Sequence, residues 1–98
     1  MTNKTTEVVI YQIKADKVVD YTNISKVTDD FLSMRNGFLS RRLTQDSKDK
    51  SVFLDIIEWE SLEDAESAAL AIQKDTSMMA LFSSTEKLIS FGHYHILR

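Results

Sequence analysis

At 98 residues, with 43% apolar and 28% charged side chains, the chain has room for one modest core and is globular rather than disordered in composition. A net charge of −3 leaves no basic footprint, so neither nucleic acid nor a membrane is an expected partner. The absence of cysteine excludes disulfides, thiolate metal sites and a cysteine nucleophile. Met1 to Glu7 is polar and no apolar run approaches membrane-spanning length, so a cytoplasmic location is expected.

The first element is a strand over Val8 to Lys14, a run rich in β-branched and aromatic residues. Asp16 is placed to cap a helix in which Ile24, Val27, Phe31 and Met34 recur at three- and four-residue spacing. Asn36-Gly37 ends that helix, because glycine is favoured just past a helix C-terminus. Phe38 to Leu43 reads as a second strand and Gln45 to Ser51 as a polar hairpin connection. Val52 to Trp59 is the third strand and the most apolar segment. Ser61-Leu62-Glu63-Asp64 has the form of a capping box, and Leu62, Ala65, Ala69 and Ile72 form the apolar stripe of the helix it opens. Ser77 to Phe82 is a short extra helical turn, and Lys87 to Leu97 is the last strand. The order is strand-helix-strand-strand-helix-strand, an α+β domain spanning 1–98 with an ordered core from about 7 to 97.

Right-handed crossovers put both helices on one face of such a sheet. A monomer should then show strands that alternate apolar and polar. In Val52-Phe53-Leu54-Asp55-Ile56-Ile57 both alternating faces are apolar, and Val8-Val9-Ile10-Tyr11 behaves alike. A wet face of that kind exceeds the apolar patch monomers usually carry, so a homodimer packed sheet to sheet is expected.

The opening strand and helix, Gly37-Phe38-Leu39-Ser40-Arg41-Arg42-Leu43, Ile57-Glu58-Trp59-Glu60-Ser61-Leu62-Glu63-Asp64-Ala65 and the closing Phe82 to His95 segment together resemble the dimeric α+β-barrel superfamily, near the antibiotic biosynthesis monooxygenase-like proteins. The resemblance covers nearly the whole chain. It implies a ferredoxin-like βαββαβ protomer with a four-stranded antiparallel sheet, two protomers closing into a barrel, and a ligand pocket between each sheet and its helices. Some members of that family oxidise polycyclic phenols or quinols with oxygen and no cofactor, and others degrade haem. Many catalytic members carry a histidine on the second helix, where this chain has Ala68-Ala69-Leu70-Ala71-Ile72. The haem-degrading members add an asparagine on the first strand, where this chain offers only Gln12, so haem degradation is not expected.

His93 and His95 are the only histidines, and two residues apart on a strand they share one face. Either is a candidate general base for a phenol, and with Asp55 the pair is a weaker candidate metal site; no metal is assigned. Asp55 lies mid-strand in the most apolar segment, with Glu58 on the opposite face, so its carboxyl must be paired or protonated. Arg41 and Arg42 point to opposite faces, so one of them can serve it as an ion pair or leave it as an acid-base group. Tyr11, Phe31, Trp59, Phe82, Phe91 and Tyr94 are either plain core or the walls of a cavity for a flat aromatic ligand, and Met78 and Met79 either fill gaps or form a lid.

Two function classes fit. One is a small cofactor-independent oxygenase, with Tyr11, Phe31, Trp59 and Arg41 binding an aromatic or quinol substrate and His93, His95 and Asp55 handling protons. The other is a non-catalytic dimeric domain that binds a small apolar molecule or serves a stress-related role.

Overall fold

A computed structural model describes residues 4–98. The reading of Met1–Asn3 as part of a polar N-terminus lies outside the described residues. The chain forms strand β1 (Thr5–Ile13), short helix α1 (Tyr21–Ile24), helix α2 (Lys26–Ser33), strands β2 (Phe38–Gln45) and β3 (Val52–Trp59), helix α3 (Leu62–Ile72), short helix α4 (Met79–Ser84) and strand β4 (Thr85–His95). The four strands make one antiparallel sheet in the order β2-β3-β1-β4. The α+β class and the βαββαβ order expected from the sequence are those observed.

The helices cover one face. Strand β3 alternates strictly, with Phe53, Asp55, Ile57 and Trp59 buried and the residues between them half-exposed. Trp59, Ile57, Phe31, Leu32, Ala65 and Met78 form one core cluster, and Tyr11, Ile13, Tyr21 and Phe53 form a second. The opposite face carries Val8, Ile10, Leu54 and Ile56, half-exposed and outside both clusters. Among the described residues no helix is long and apolar enough to cross a membrane.

Several local expectations need correction. Asp16 does not cap the first helix: it sits inside a 3-10 turn, Ala15–Lys17, and α1 starts after Asp20. Ser25 divides that helix into α1 and α2, since its hydroxyl donates back to the Thr22 carbonyl at 3.2 Å, a bond that competes with the helical ladder. The stripe is displaced as a result. Met34 is 78% exposed, while Thr28 and Leu32 are buried beside Phe31. Met78 is fully buried and Met79 exposed, and neither lines the space between the sheet and the helices. In α3 the buried alanines are Ala65 and Ala68. Ser61 caps α3 as its spacing predicts, its hydroxyl oxygen accepting from the Asp64 backbone N–H at 3.1 Å.

Candidate functional site between the sheet and the helices

A cavity of about 500 Å³ lies between the covered face of the sheet and the helices, within the range of small-molecule sites. Strands β1 and β3 supply Glu7, Val9, Tyr11, Asp55, Ile57 and Trp59 to its floor. Phe31 and Thr28 come from α2, Ala68 and Ile72 from α3. Its mouth lies along the β4 edge, where Phe82, Leu88 and Phe91 line it while remaining substantially exposed.

The position of Leu88 depends on a bulge. Ser90 pairs with Ile10 but Leu88 pairs with Tyr11, so Ile89 is the extra residue in β4. Residues three apart on a regular strand face opposite sides. The bulge turns Leu88 to the same side as Phe91, and both become cavity walls.

Two polar centres stand at the sheet. In the first, Nη2 of Arg41 donates to both Asp55 carboxylate oxygens at 3.1 Å, and Nη1 donates to Asp29 Oδ1 at 2.8 Å. Nη1 also reaches the Ser25 carbonyl, at the break between α1 and α2, at 3.4 Å. The Tyr21 hydroxyl donates to that of Tyr11 at 2.7 Å, which in turn donates to Asp55 Oδ1 at 3.1 Å. Arg41 is the arginine whose side chain shares the face of Asp55, and it is almost wholly buried. Burial raises the Asp55 carboxyl above its ordinary range, and the Arg41 charge limits the rise. Burial pushes Tyr21 up to about 12 and holds Tyr11 far above its ordinary range, with the Asp55 charge adding to the effect on Tyr11. Both phenols therefore remain protonated donors at neutral pH.

The second centre pairs Glu7 with His93, Nε2 to Oε1, at 3.0 Å. Both side chains are largely buried. The ring of Phe91 meets that of His93 edge to face, with centroids 5.1 Å apart, and limits its rotation. Burial raises the Glu7 carboxyl, opposed by His93 and by the neighbouring Trp59 indole N–H, whose approach stops short of a formed hydrogen bond. Thr28 Oγ1 and Trp59 Nε1 are buried wall atoms without a hydrogen-bond partner among the described residues.

Of the residues singled out from the sequence, Tyr11, Phe31, Trp59, Asp55, Phe82 and Phe91 line the cavity. Arg41 does not line it but holds Asp55 from behind. Tyr94 pairs with Thr6 on the opposite face and is 56% exposed. His93 and His95 share a face as predicted, but neither reaches the cavity wall: Glu7 stands before His93, and His95 is exposed at the end of β4. Among the described residues no three histidine, aspartate or glutamate side chains gather as a metal site, and Asp55 is engaged by Arg41 and Tyr11 instead. Sequence reasoning missed Glu7 and Tyr21. The signal for Glu7 was present, since it alternates with Val9 and Tyr11, but a strand begun at Val8 leaves it out.

No protein-family model matches this chain, and no curated protein matches it in sequence. Solved structures do match its fold. A protein from Nitrosomonas europaea assigned to the antibiotic biosynthesis monooxygenases superposes with a TM-score of 0.80 at 13% identity, over 99% of this chain and 93% of that one. A Bordetella bronchiseptica protein of the same assignment gives 0.85 at 7% identity, over 98% and 99%. SnoaB, a cofactor-independent oxygenase from Streptomyces nogalater, gives 0.73 at 14% identity, over 98% and 93%. The architecture is that of the antibiotic biosynthesis monooxygenase-like proteins, and at these identities the likeness is one of fold.

Proposed function

We propose that this protein binds a flat phenol or quinol in the cavity and oxidises it with molecular oxygen, without a cofactor. The observation that carries the reading is an aromatic-walled cavity, open along the β4 edge, with carboxyl groups set into its floor. The apolar walls suit a planar ring, and the carboxyls can take a hydroxyl proton that few apolar cavities could accept. A phenolate held away from water is electron-rich enough to pass an electron to oxygen. In a phenol with hydrogen on the ring carbon opposite the hydroxyl, recombination there forms a hydroperoxide that loses water to leave the quinone; in a quinol that carbon bears the second hydroxyl, and loss of hydrogen peroxide leaves the quinone. With the phenol one oxygen atom enters the product and the other leaves as water, whereas with the quinol both leave as hydrogen peroxide. The resemblance of fold to SnoaB, an oxygenase described as cofactor-independent, supports the same chemistry.

Trp59 is the only tryptophan and stands in the cavity wall, so its fluorescence reports occupancy. Titration with naphthols and quinols is expected to quench it saturably, and the ligands that quench are expected to drive oxygen uptake. Quenching without uptake by any of them returns the protein to a binding role; a panel that neither quenches nor consumes oxygen removes the reading altogether.

The open face of the sheet belongs to the same proposal. Val8, Ile10, Leu54 and Ile56 leave an apolar surface that the helices cannot reach, and a second copy packed sheet to sheet covers it. Burying such area yields about 25 cal/mol per Å². Light scattering is expected to give twice the 11.2 kDa chain mass. Ile56→Glu places a charge in the middle of that face and is expected to yield monomers. A wild-type chain that scatters as a monomer would sink this part of the proposal.

A further inference from the structure

We infer that Glu7, backed by His93, is the group that takes the substrate's hydroxyl proton. The inference rests on the oxidation reading above and assigns its base. Glu7 and Asp55 are the only two ionisable acids in the cavity wall among the described residues, and no basic side chain lines it. They are not equivalent. Asp55 accepts from Arg41 through both oxygens and from Tyr11 through one, so a substrate hydroxyl would have to compete with a buried guanidinium. Tyr11 and Tyr21 are donors held in their protonated forms. Among the described residues Glu7 meets no guanidinium; it uses one oxygen, Oε1, toward His93, with the Trp59 indole N–H nearby.

His93 makes the carboxyl more useful. With the carboxylate ionised and the imidazole neutral, the pair carries one negative charge and accepts one proton. With the imidazole neutral, Nε2–H donates to Oε1 across 3.0 Å, so His93 holds the carboxylate in place and the incoming proton is taken by Glu7 itself. The charge leaves the pair as it appears on the bound phenolate, and the net charge of the site does not change. Burial also raises Glu7 toward the range of its phenol substrate, which narrows the gap for transfer. His93 does not touch the cavity and acts through Glu7 as a positioning residue. The groups facing Glu7 are His93 from β4 and Trp59 and Asp55 from β3, while the cavity-lining helix residues carry no charge.

The test compares Glu7→Gln, Glu7→Asp and His93→Gln with the wild type, measuring Trp59 quenching for affinity and oxygen uptake for rate. Glu7→Gln is expected to bind a neutral phenol as the parent does and to lose about a hundredfold in kcat, within the usual range for removal of a general base. Glu7→Asp keeps the carboxyl and is expected to recover part of the rate. His93→Gln is expected to lose less and to displace the acid limb of the pH profile, where activity falls as Glu7 is protonated. A phenol already ionised at the assay pH needs no base, so the Glu7→Gln penalty is expected to vanish for that substrate alone. An equal penalty on neutral and ionised phenols, or none on either, overturns the inference while leaving the oxidation reading standing. A wild type that consumes no oxygen with any phenol or quinol overturns both.

Discussion

Asp55→Ala is expected to destabilise the fold by about 3 kcal/mol, because it leaves the Arg41 guanidinium with no buried counter-charge and only the long contact to the Ser25 carbonyl inside the core. For a chain of this size that is a fall in Tm of about 15 °C. Asp29 cannot compensate, since its side chain is 61% exposed and is already engaged by the other guanidinium nitrogen. The loss also strands the Tyr11 hydroxyl, whose acceptor is Asp55 Oδ1. Removing both charges together is a different experiment. Arg41→Met with Asp55→Leu is expected to return to within about 1 kcal/mol of the parent, because replacing a whole buried pair by apolar groups is close to neutral. Urea denaturation of the two single variants and the double variant closes the cycle, and independent losses would mean that the pair is not coupled.

The same carboxyl gives a pH signature. Burial places Asp55 above its ordinary value of 3.8 in the folded chain. Between that value and the raised one, the native state holds a proton that the unfolded chain has released, so the contribution is greatest below 3.8 and is lost as pH rises through the folded pKa. Asp55→Asn is expected to flatten that descent.

The second large effect is expected at Gly37, which has φ of +78° and closes the connection between α2 and β2. Its carbonyl accepts from the Glu60 backbone N–H at 2.8 Å, which draws this turn against the start of α3. A Cβ here would overlap the Asp64 side chain, whose carboxylate accepts from the Ser61 hydroxyl. Gly37→Val therefore combines a left-handed backbone penalty of roughly 1–2 kcal/mol with disturbance of the α3 cap, itself worth about 1 kcal/mol. The expected total is about 3 kcal/mol, with about 1 kcal/mol recovered in an Asp64→Ala background. Strict additivity of the two changes would show that they do not meet.

Much of this arrangement was legible in the chain. Strict alternation along Val52 to Trp59 placed Asp55 and Glu58 on opposite faces, and adjacency placed Arg41 and Arg42 likewise; the structure has Asp55 and Arg41 on one side and Glu58 bonded to Thr6 on the other. The capping box marked the start of α3 at the right residue. The apolar residues on the second face of β1 and β3 stood out because a period of two sorts side chains without reference to anything distant. Tertiary structure decided the rest. The bulge at Ile89 recruits Leu88 to the cavity through strand pairing with β1, which no periodicity within β4 reveals. The break at Ser25 moves the buried face of α2 onto Thr28 and Leu32. Glu7 enters the site only because β1 begins at Thr5 and sets it beside His93, 86 residues away. Which side of each element is apolar and which charges lie on it follow from local geometry, so they can be read along the chain. Which carboxyl a guanidinium locks and which a histidine backs depends on partners brought together from distant strands, and only the folded chain supplies them.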